Sequence, residues 1–167
     1  FRERIGSQDV IEVVHGSHIW TAAFEWKPPG GEQLENILNL TTQPFPKDYV
    51  QFLKTISNGC LLYHDKLYGQ WGFYIYSIEE LTKKQVVWKE RLGDNWQENF
   101  LVFAEMRGES DGLLFDLNKP SFDMSSFTIY DANPMDTVND WLKVSRSFHE
   151  WLDHLITAQG DKFWEWI

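Results

Sequence analysis

The side chains that could do chemistry are few, and their spacing fits no common catalytic or metal-binding pattern. The chain has five histidines and a single cysteine, Cys60. His15 and His18 are three residues apart, but Gly16-Ser17 between them opposes a helix, and no third ligand for a tetrahedral metal site is evident. The glycine-rich phosphate loops, the H-E-x-x-H zinc motif and the G-x-S-x-G nucleophile motif do not occur. The sequence therefore predicts no catalytic residue and no metal site, and the chain is interpreted as not an enzyme; an enzyme of a type that these motifs do not detect is a third alternative.

Carboxylates gather around one predicted hairpin, between residues 100 and 117. They are Glu105, Glu109, Asp111 and Asp116. The simplest interpretation is a solvated turn, and an acidic patch that meets a basic partner needs only the exposure that loops supply. A glycosidase-like pair would need a cleft and a raised pKa on one member, and the sequence indicates neither.

Helix signals stand out at three places along the chain. After Phe45-Pro46, which is typical of a helix start, apolar residues recur at the i, i+3, i+4, i+7 spacing of one helix face: Tyr49, Phe52, Leu53 and Ile56. Asn58-Gly59 predicts the end of this helix, since both residues tolerate a left-handed backbone. Capping boxes at Ser77–Glu80 and Ser147–Glu150 predict a helix to about Arg91 and a last helix that Gly160 closes.

Short apolar and aromatic runs bounded by turn residues predict the strands. These runs span residues 60–64, 67–76, 100–106, 113–117, 127–132 and 137–144. The order of helices, adjacent strands and a closing helix predicts an α+β fold, with a mainly antiparallel sheet and helices packed on one face.

The N-terminal part has weaker signals. Residues 8–15 fit a short helix with its valines on one side, residues 18–26 fit a strand or an extended arm, and residues 32–40 fit a helix. The sequence Lys27-Pro-Pro-Gly-Gly31 is the one strong break. It divides the chain into an N-terminal extension packed on the domain (1–31) and the domain itself (32–167).

Composition and charge narrow the class of partner. Aromatic residues make up 16% of the 167 residues, and most are expected to fill the core. The net charge of -10 argues against nucleic acid and anionic membranes, which bind through Lys and Arg, and it favours a basic partner or simple solubility. Residues 88–116 carry seven acids and three bases, and residues 133–167 carry six and three, so the acidity belongs mainly to the second half. With no signal-peptide pattern in the chain, the expected location is the cytoplasm.

An ordered set of short motifs resembles the SUKH superfamily, which includes bacterial immunity proteins and a fungal cell-wall synthesis regulator. The set covers about residues 32–158 and consists of Pro46-Lys-Asp-Tyr49, Phe52-Leu53, Asn58-Gly59, Ile75-Tyr76, Glu80-Leu81, Leu101-Val-Phe-Ala-Glu105, Gly112, Leu114-Phe-Asp116, Ser147-Phe148 and Trp151-Leu152.

This resemblance implies a single SUKH-like domain that acts as a binding module without a cofactor. It implies an immunity protein that neutralises a polymorphic toxin, such as a nuclease, by occlusion. The alternative is a regulatory or scaffold protein with an endogenous partner. We expect the partner-binding residues to be aromatic anchors and acids on the rim, and they are Tyr68, Trp71, Trp96, Glu105, Glu109, Asp111 and Asp116.

Overall fold

The structure is a computed structural model that describes residues 10–15, 18–26, 34–56, 58–120 and 127–166. The described residues form one antiparallel sheet in which eight strands pair in chain order. The strands are β1 Val10–His15, β2 His18–Trp26, β3 Cys60–Asp65, β4 Phe73–Ile75, β5 Phe100–Met106, β6 Gly112–Pro120, β7 Phe127–Ala132 and β8 Leu142–Ser145. Strands that follow one another in the chain therefore lie side by side, as neighbouring elements usually do.

Three α-helices occur in this part of the chain, and each begins where the sequence predicts. They are α1 Lys47–Thr55, α2 Ile78–Leu92 and α3 Phe148–Thr157. The Ser77 side chain accepts a hydrogen bond from the Glu80 backbone N–H, and the Glu80 carboxylate accepts one from the Ser77 N–H. Ser147 caps α3 in the same manner, by accepting from the backbone N–H of Glu150.

The helices are divided between the two faces of the sheet. Phe115 of β6 lies near Tyr49 of α1 and Phe148 of α3, with ring centroids 5.3 and 6.4 Å away. Gly112, three residues earlier, points to the opposite face because successive strand residues alternate. There an added Cβ would overlap the indole of Trp88 from α2. The α+β class with an antiparallel sheet is confirmed. The prediction that the helices pack on one face is wrong, because the central strands carry buried residues on both sides: α1 and α3 cover one face (the inner face) and α2 covers the other (the outer face).

The helix predicted over residues 8–15 is wrong. Val10–His15 is strand β1 and pairs with β2; residues 8 and 9 lie outside the described residues. Val13 is buried whereas the adjacent Val14 is exposed, which is the alternation of a strand rather than a helix face. β-Branched residues fit this pleated surface well. Residues 18–26 form strand β2, one of the two predicted alternatives.

Three other boundaries differ from the sequence prediction. The strand predicted over 67–76 forms only over Phe73–Ile75, because Asp65 accepts the backbone N–H groups of Leu67 and Tyr68 and holds the preceding residues in a turn. The predicted helix over 32–40 is a single 3₁₀ turn, Leu34–Asn36, followed by further turns, because so short a segment gains little from helix propagation. The last strand begins at Leu142 rather than 137, because the backbone N–H groups of Asp136 and Asp140 close turns onto Asn133 and Thr137. The break at residues 27–31 lies outside the described residues.

Candidate binding surface

Alternate connections of an antiparallel sheet lie at the same end, which we call the loop end. Among the described residues, the connections at this end join β7 to β8, β3 to β4 and β5 to β6. The last two are in direct contact: the backbone N–H of Arg107 donates to the Gly72 carbonyl oxygen at 2.9 Å. Gly108 packs so closely on Gln70 that a Cβ would overlap the Gln70 backbone. The loop end is therefore a braced surface.

The β3–β4 loop presents two exposed apolar side chains. Asp65 organises it, since its Oδ1 accepts the backbone N–H groups of Leu67 at 2.9 Å and Tyr68 at 3.2 Å. The side chains of Leu67 and Tyr68 are 77% and 73% exposed. An exposed apolar pair on an ordered loop loses little entropy on binding and can serve as an anchor.

A cavity of about 270 Å³ lies beside this loop. Its walls come from β1, β2, the β3–β4 loop and the turn after α3: Val13, Val14, Trp20, Asp65, Trp71 and residues 158–161. Two hydrogen bonds tie these walls together. Trp71 Nε1 donates to the Gly160 carbonyl oxygen at 3.1 Å, and the Val14 backbone N–H donates to Gln159 Oε1 at 3.4 Å. We call this space the Trp20–Trp71 cavity.

The turn after α3 is strained at the cavity wall. The Gly160 N–H donates to the Leu155 carbonyl and the Gln159 N–H to the Ile156 carbonyl, which is the Schellman arrangement. Gln159 has φ 54°, where glycine is usual. A non-glycine residue in this region costs about 1 kcal/mol.

A group of carboxylates at the loop end surrounds a buried lysine. The Lys162 ammonium contacts Asp111 at 3.3 Å, Asp131 at 3.7 Å and Glu165 at 3.2 Å, and it also pairs with Glu109. The Lys162 side chain is only 7% exposed. We call this group the Lys162 cluster. It joins the β5–β6 loop, strand β7 and the C-terminal segment through one cation.

The environment of the cluster shifts two pKa values. Burial raises the pKa of Asp131 to about 6, and this effect outweighs the Lys162 charge and the hydrogen bond from Trp164 Nε1, which act to lower it. For Lys162 the largest single influence is burial, which acts to lower its pKa. The hydrogen bond to Glu109 and the charge of Asp131 together outweigh it, so the pKa of Lys162 is raised. The lysine is thus held in its charged form.

Four of the seven predicted partner-binding residues come together at the loop end. Tyr68 is exposed on the β3–β4 loop, and Trp71 is half-buried in the cavity wall. Glu109 and Asp111 belong to the Lys162 cluster.

The other three predicted residues lie elsewhere. Glu105 lies on the outer face, where it accepts from Lys84 at 2.9 Å and from the Tyr76 hydroxyl at 2.8 Å, and it lines a shallow groove of about 320 Å³. Asp116 is 2% exposed at the far end of the sheet and is paired with Lys119 at 3.1 Å. Trp96 packs edge-on against Phe100, with centroids 6.3 Å apart.

Comparison with known proteins identifies the family. The chain matches the SMI1 / KNR4 family (SUKH-1) over residues 29–154, which is more than half of its length. The chain belongs to this family. The uncharacterized protein YnaB of Bacillus subtilis (strain 168) is 26% identical over 149 residues, which cover 86% of this chain and 88% of YnaB. No solved structure matches the chain.

Membership of the SUKH-1 family supports an immunity-type or regulatory role, since the family is generally non-enzymatic and its members generally bind toxin proteins. Cys60 is buried, and burial raises the pKa of its thiol far above the ordinary value, which leaves it poorly nucleophilic. Among the described residues no group of three His, Cys, Asp or Glu side chains is placed to hold a metal ion. The helices described here are all too short or too polar to cross a bilayer.

The SUKH-1 match does not account for most of the Trp20–Trp71 cavity. Only Asp65 and Trp71 fall inside residues 29–154, whereas Val13, Val14, Trp20 and residues 158–161 lie outside. Sequence reasoning did not identify Trp20, Asp65, Gln159 or Lys162 as site residues. A Pro-Gly break separates Trp20 from the rest of the chain, and the convergence of these residues depends on strand pairing that no local pattern reveals.

Proposed function

We propose that this chain is a cytoplasmic immunity protein. It binds a cognate polymorphic toxin, such as a nuclease or a similar C-terminal toxin domain, and it neutralises that toxin by covering its functional surface with the loop end. The observation that carries the proposal is the exposed Leu67–Tyr68 pair on a braced loop in a SUKH-1 family member.

Three features of the loop end support an occluding role. The β3–β4 loop is ordered by Asp65 and by contact with the β5–β6 loop, so it is pre-organised for docking. The net charge of -10 would speed the approach of a basic toxin domain. The surface is built from loops on a rigid sheet, which is the usual setting for binding residues.

The experiment is co-expression of this chain with the neighbouring open reading frame, followed by pull-down and a toxin-protection assay. The test variant is Leu67→Ser/Tyr68→Ser. The matched control is Val86→Ser/Val87→Ser, which removes two consecutive exposed apolar side chains (58% and 46% exposed) from α2 on the outer face.

We expect the loop variant to bind the toxin about 30-fold more weakly, as for a hot spot of about 2 kcal/mol, and to lose protection. The α2 control should bind and protect as the wild type does. The free energy of unfolding of both variants should lie within about 0.5 kcal/mol of that of the wild type. Equal binding by the two variants would show that the loop end is not the docking surface. If the wild type fails to bind a toxin and instead captures an endogenous protein, the regulatory alternative replaces immunity.

A further inference from the structure

We infer that the Trp20–Trp71 cavity is a binding site for one arginine side chain of the partner. The inference rests on the proposed function for the identity of that partner, and it adds the chemical group that the surface recognises. Nothing in the family match assigns this site, because most of its walls lie outside residues 29–154.

The size of the cavity favours a single side chain. Pockets for cofactors and drug-sized ligands span roughly 300 to 1,000 Å³, and this cavity has about 270 Å³ and is open to solvent. A long side chain that enters from a docked protein fits such a space, and the exposed Leu67 and Tyr68 would flank the backbone that carries it.

The walls supply the two groups that recognise a guanidinium. Trp20 and Trp71 offer indole surfaces, which attract a planar cation and stack on it. The polar edge of Trp71 is already engaged with Gly160, so its ring is held in a defined orientation. The valine side chains Val13 and Val14 can contact the methylene stem of an arginine.

Asp65 supplies the countercharge. Its Oδ1 accepts the backbone N–H groups of Leu67 and Tyr68, and it has no ion-pair partner within the part of the chain that the structure describes. Asp65 lines the cavity together with Trp20 and Trp71. A carboxylate with a free oxygen is the preferred partner of a guanidinium, and the strong negative charge of the chain favours the entry of a cation.

The test uses the intact protein and a capped pentapeptide with one arginine between pairs of glycines. The control peptide has citrulline in place of arginine, which keeps the shape and removes the charge. Two-dimensional NMR follows the indole N–H signals of Trp20 and Trp71 while each peptide is added over the millimolar range. We expect saturable shifts of both signals with the arginine peptide and none with the citrulline peptide.

Two variants test the named groups. Asp65→Asn keeps an acceptor for the loop N–H groups but removes the charge, and Trp20→Leu keeps an apolar wall but removes the indole. Each should weaken arginine-peptide binding about tenfold. Asp94→Asn, at an exposed acid that does not line the cavity, should bind as the wild type does. Equal shifts with the citrulline peptide, or no shift with the arginine peptide, would overturn the inference.

Measurements of toxin binding distinguish a failure of this inference from a failure of the proposed function. If the wild type binds the toxin and Asp65→Asn binds it equally well, the arginine site is wrong and the immunity function stands. If the wild type binds no toxin but the signals of its two indoles shift with the arginine peptide and not with the citrulline peptide, the proposed function is wrong and the arginine-binding site stands.

Discussion

The Lys162 cluster and the Trp20–Trp71 cavity are neighbours at the loop end, and each places carboxylates beside aromatic rings. In the cluster, the protein supplies its own cation, and Lys162 contacts Glu109, Asp111, Asp131 and Glu165. In the cavity, Asp65 has no such cation among the described residues, and space remains beside it.

This difference indicates different roles for two acidic groups that look alike in the sequence. Carboxylates that are paired with an internal cation stabilise the fold, because the cation joins segments whose negative charges would otherwise repel one another. A carboxylate that faces an open cavity is available to a partner. The acidity of the second half of the chain is therefore partly structural, and net charge alone does not locate the binding surface.

The largest expected effect comes from removing the cation of the cluster. Lys162→Met should lower the free energy of unfolding by about 3 to 5 kcal/mol, because it leaves the buried Asp131 and the largely buried Asp111 without their cation. Urea unfolding measures this change. Lys89→Met is the control: the pair that Lys89 forms with Glu98 is exposed, so its loss should cost less than about 1 kcal/mol. Equal losses in the two variants would mean that Lys162 is not a structural cation.

The pH dependence of the free energy of unfolding should reveal the titration of Asp131. Its pKa of about 6 in the folded protein lies above its ordinary value of 3.8, so the folded state holds this proton more tightly than the unfolded state does. The associated stability is fully present below about pH 4 and is lost as the pH rises through 6, a change of about 2 to 3 kcal/mol. Unfolding at a series of pH values should show this decline in the wild type and a flatter profile in Asp131→Asn. Parallel profiles would contradict the raised pKa.

Matched charge removals compare the two acidic groups directly. Asp111→Asn should cost about 1 to 3 kcal/mol in stability, since it removes a charged partner of the half-buried pair with Lys162. Asp65→Asn should change stability by less than about 0.5 kcal/mol, because the amide oxygen still accepts the loop N–H groups. Thermal unfolding distinguishes them, and the comparison fails if Asp65→Asn proves the more costly.

The smallest expected effect is a gain at the cavity wall. Gln159→Gly should stabilise the protein by about 0.5 to 1 kcal/mol, because glycine adopts φ 54° without strain. The lost hydrogen bond to Val14 is long at 3.4 Å and offsets little of this. Gly160→Ala is the opposite control, since its Cβ would overlap the ring of Tyr63 and destabilise the same turn. Chemical denaturation of both variants should give changes of opposite sign.

Local patterns in the sequence determined most of the elements. The stripe from Tyr49 to Ile56 determined helix α1, and the serine caps at Ser77 and Ser147 determined where α2 and α3 begin. These features are encoded within a few residues, because helix periodicity and capping hydrogen bonds are local. The motif order was also sufficient to recognise the family.

Only the tertiary structure decided which side chains meet. Val10–His15 is a strand because β2 lies beside it, although its short valine pattern also fits a helix. Asp65 and Trp20 are 45 positions apart and share a cavity, whereas Asp116 is close in sequence to Asp111 but lies at the other end of the sheet. The buried cation of Lys162 depends on four acids from three separate segments. Such convergence arises from strand register and loop packing, which are long-range properties that no local spacing encodes.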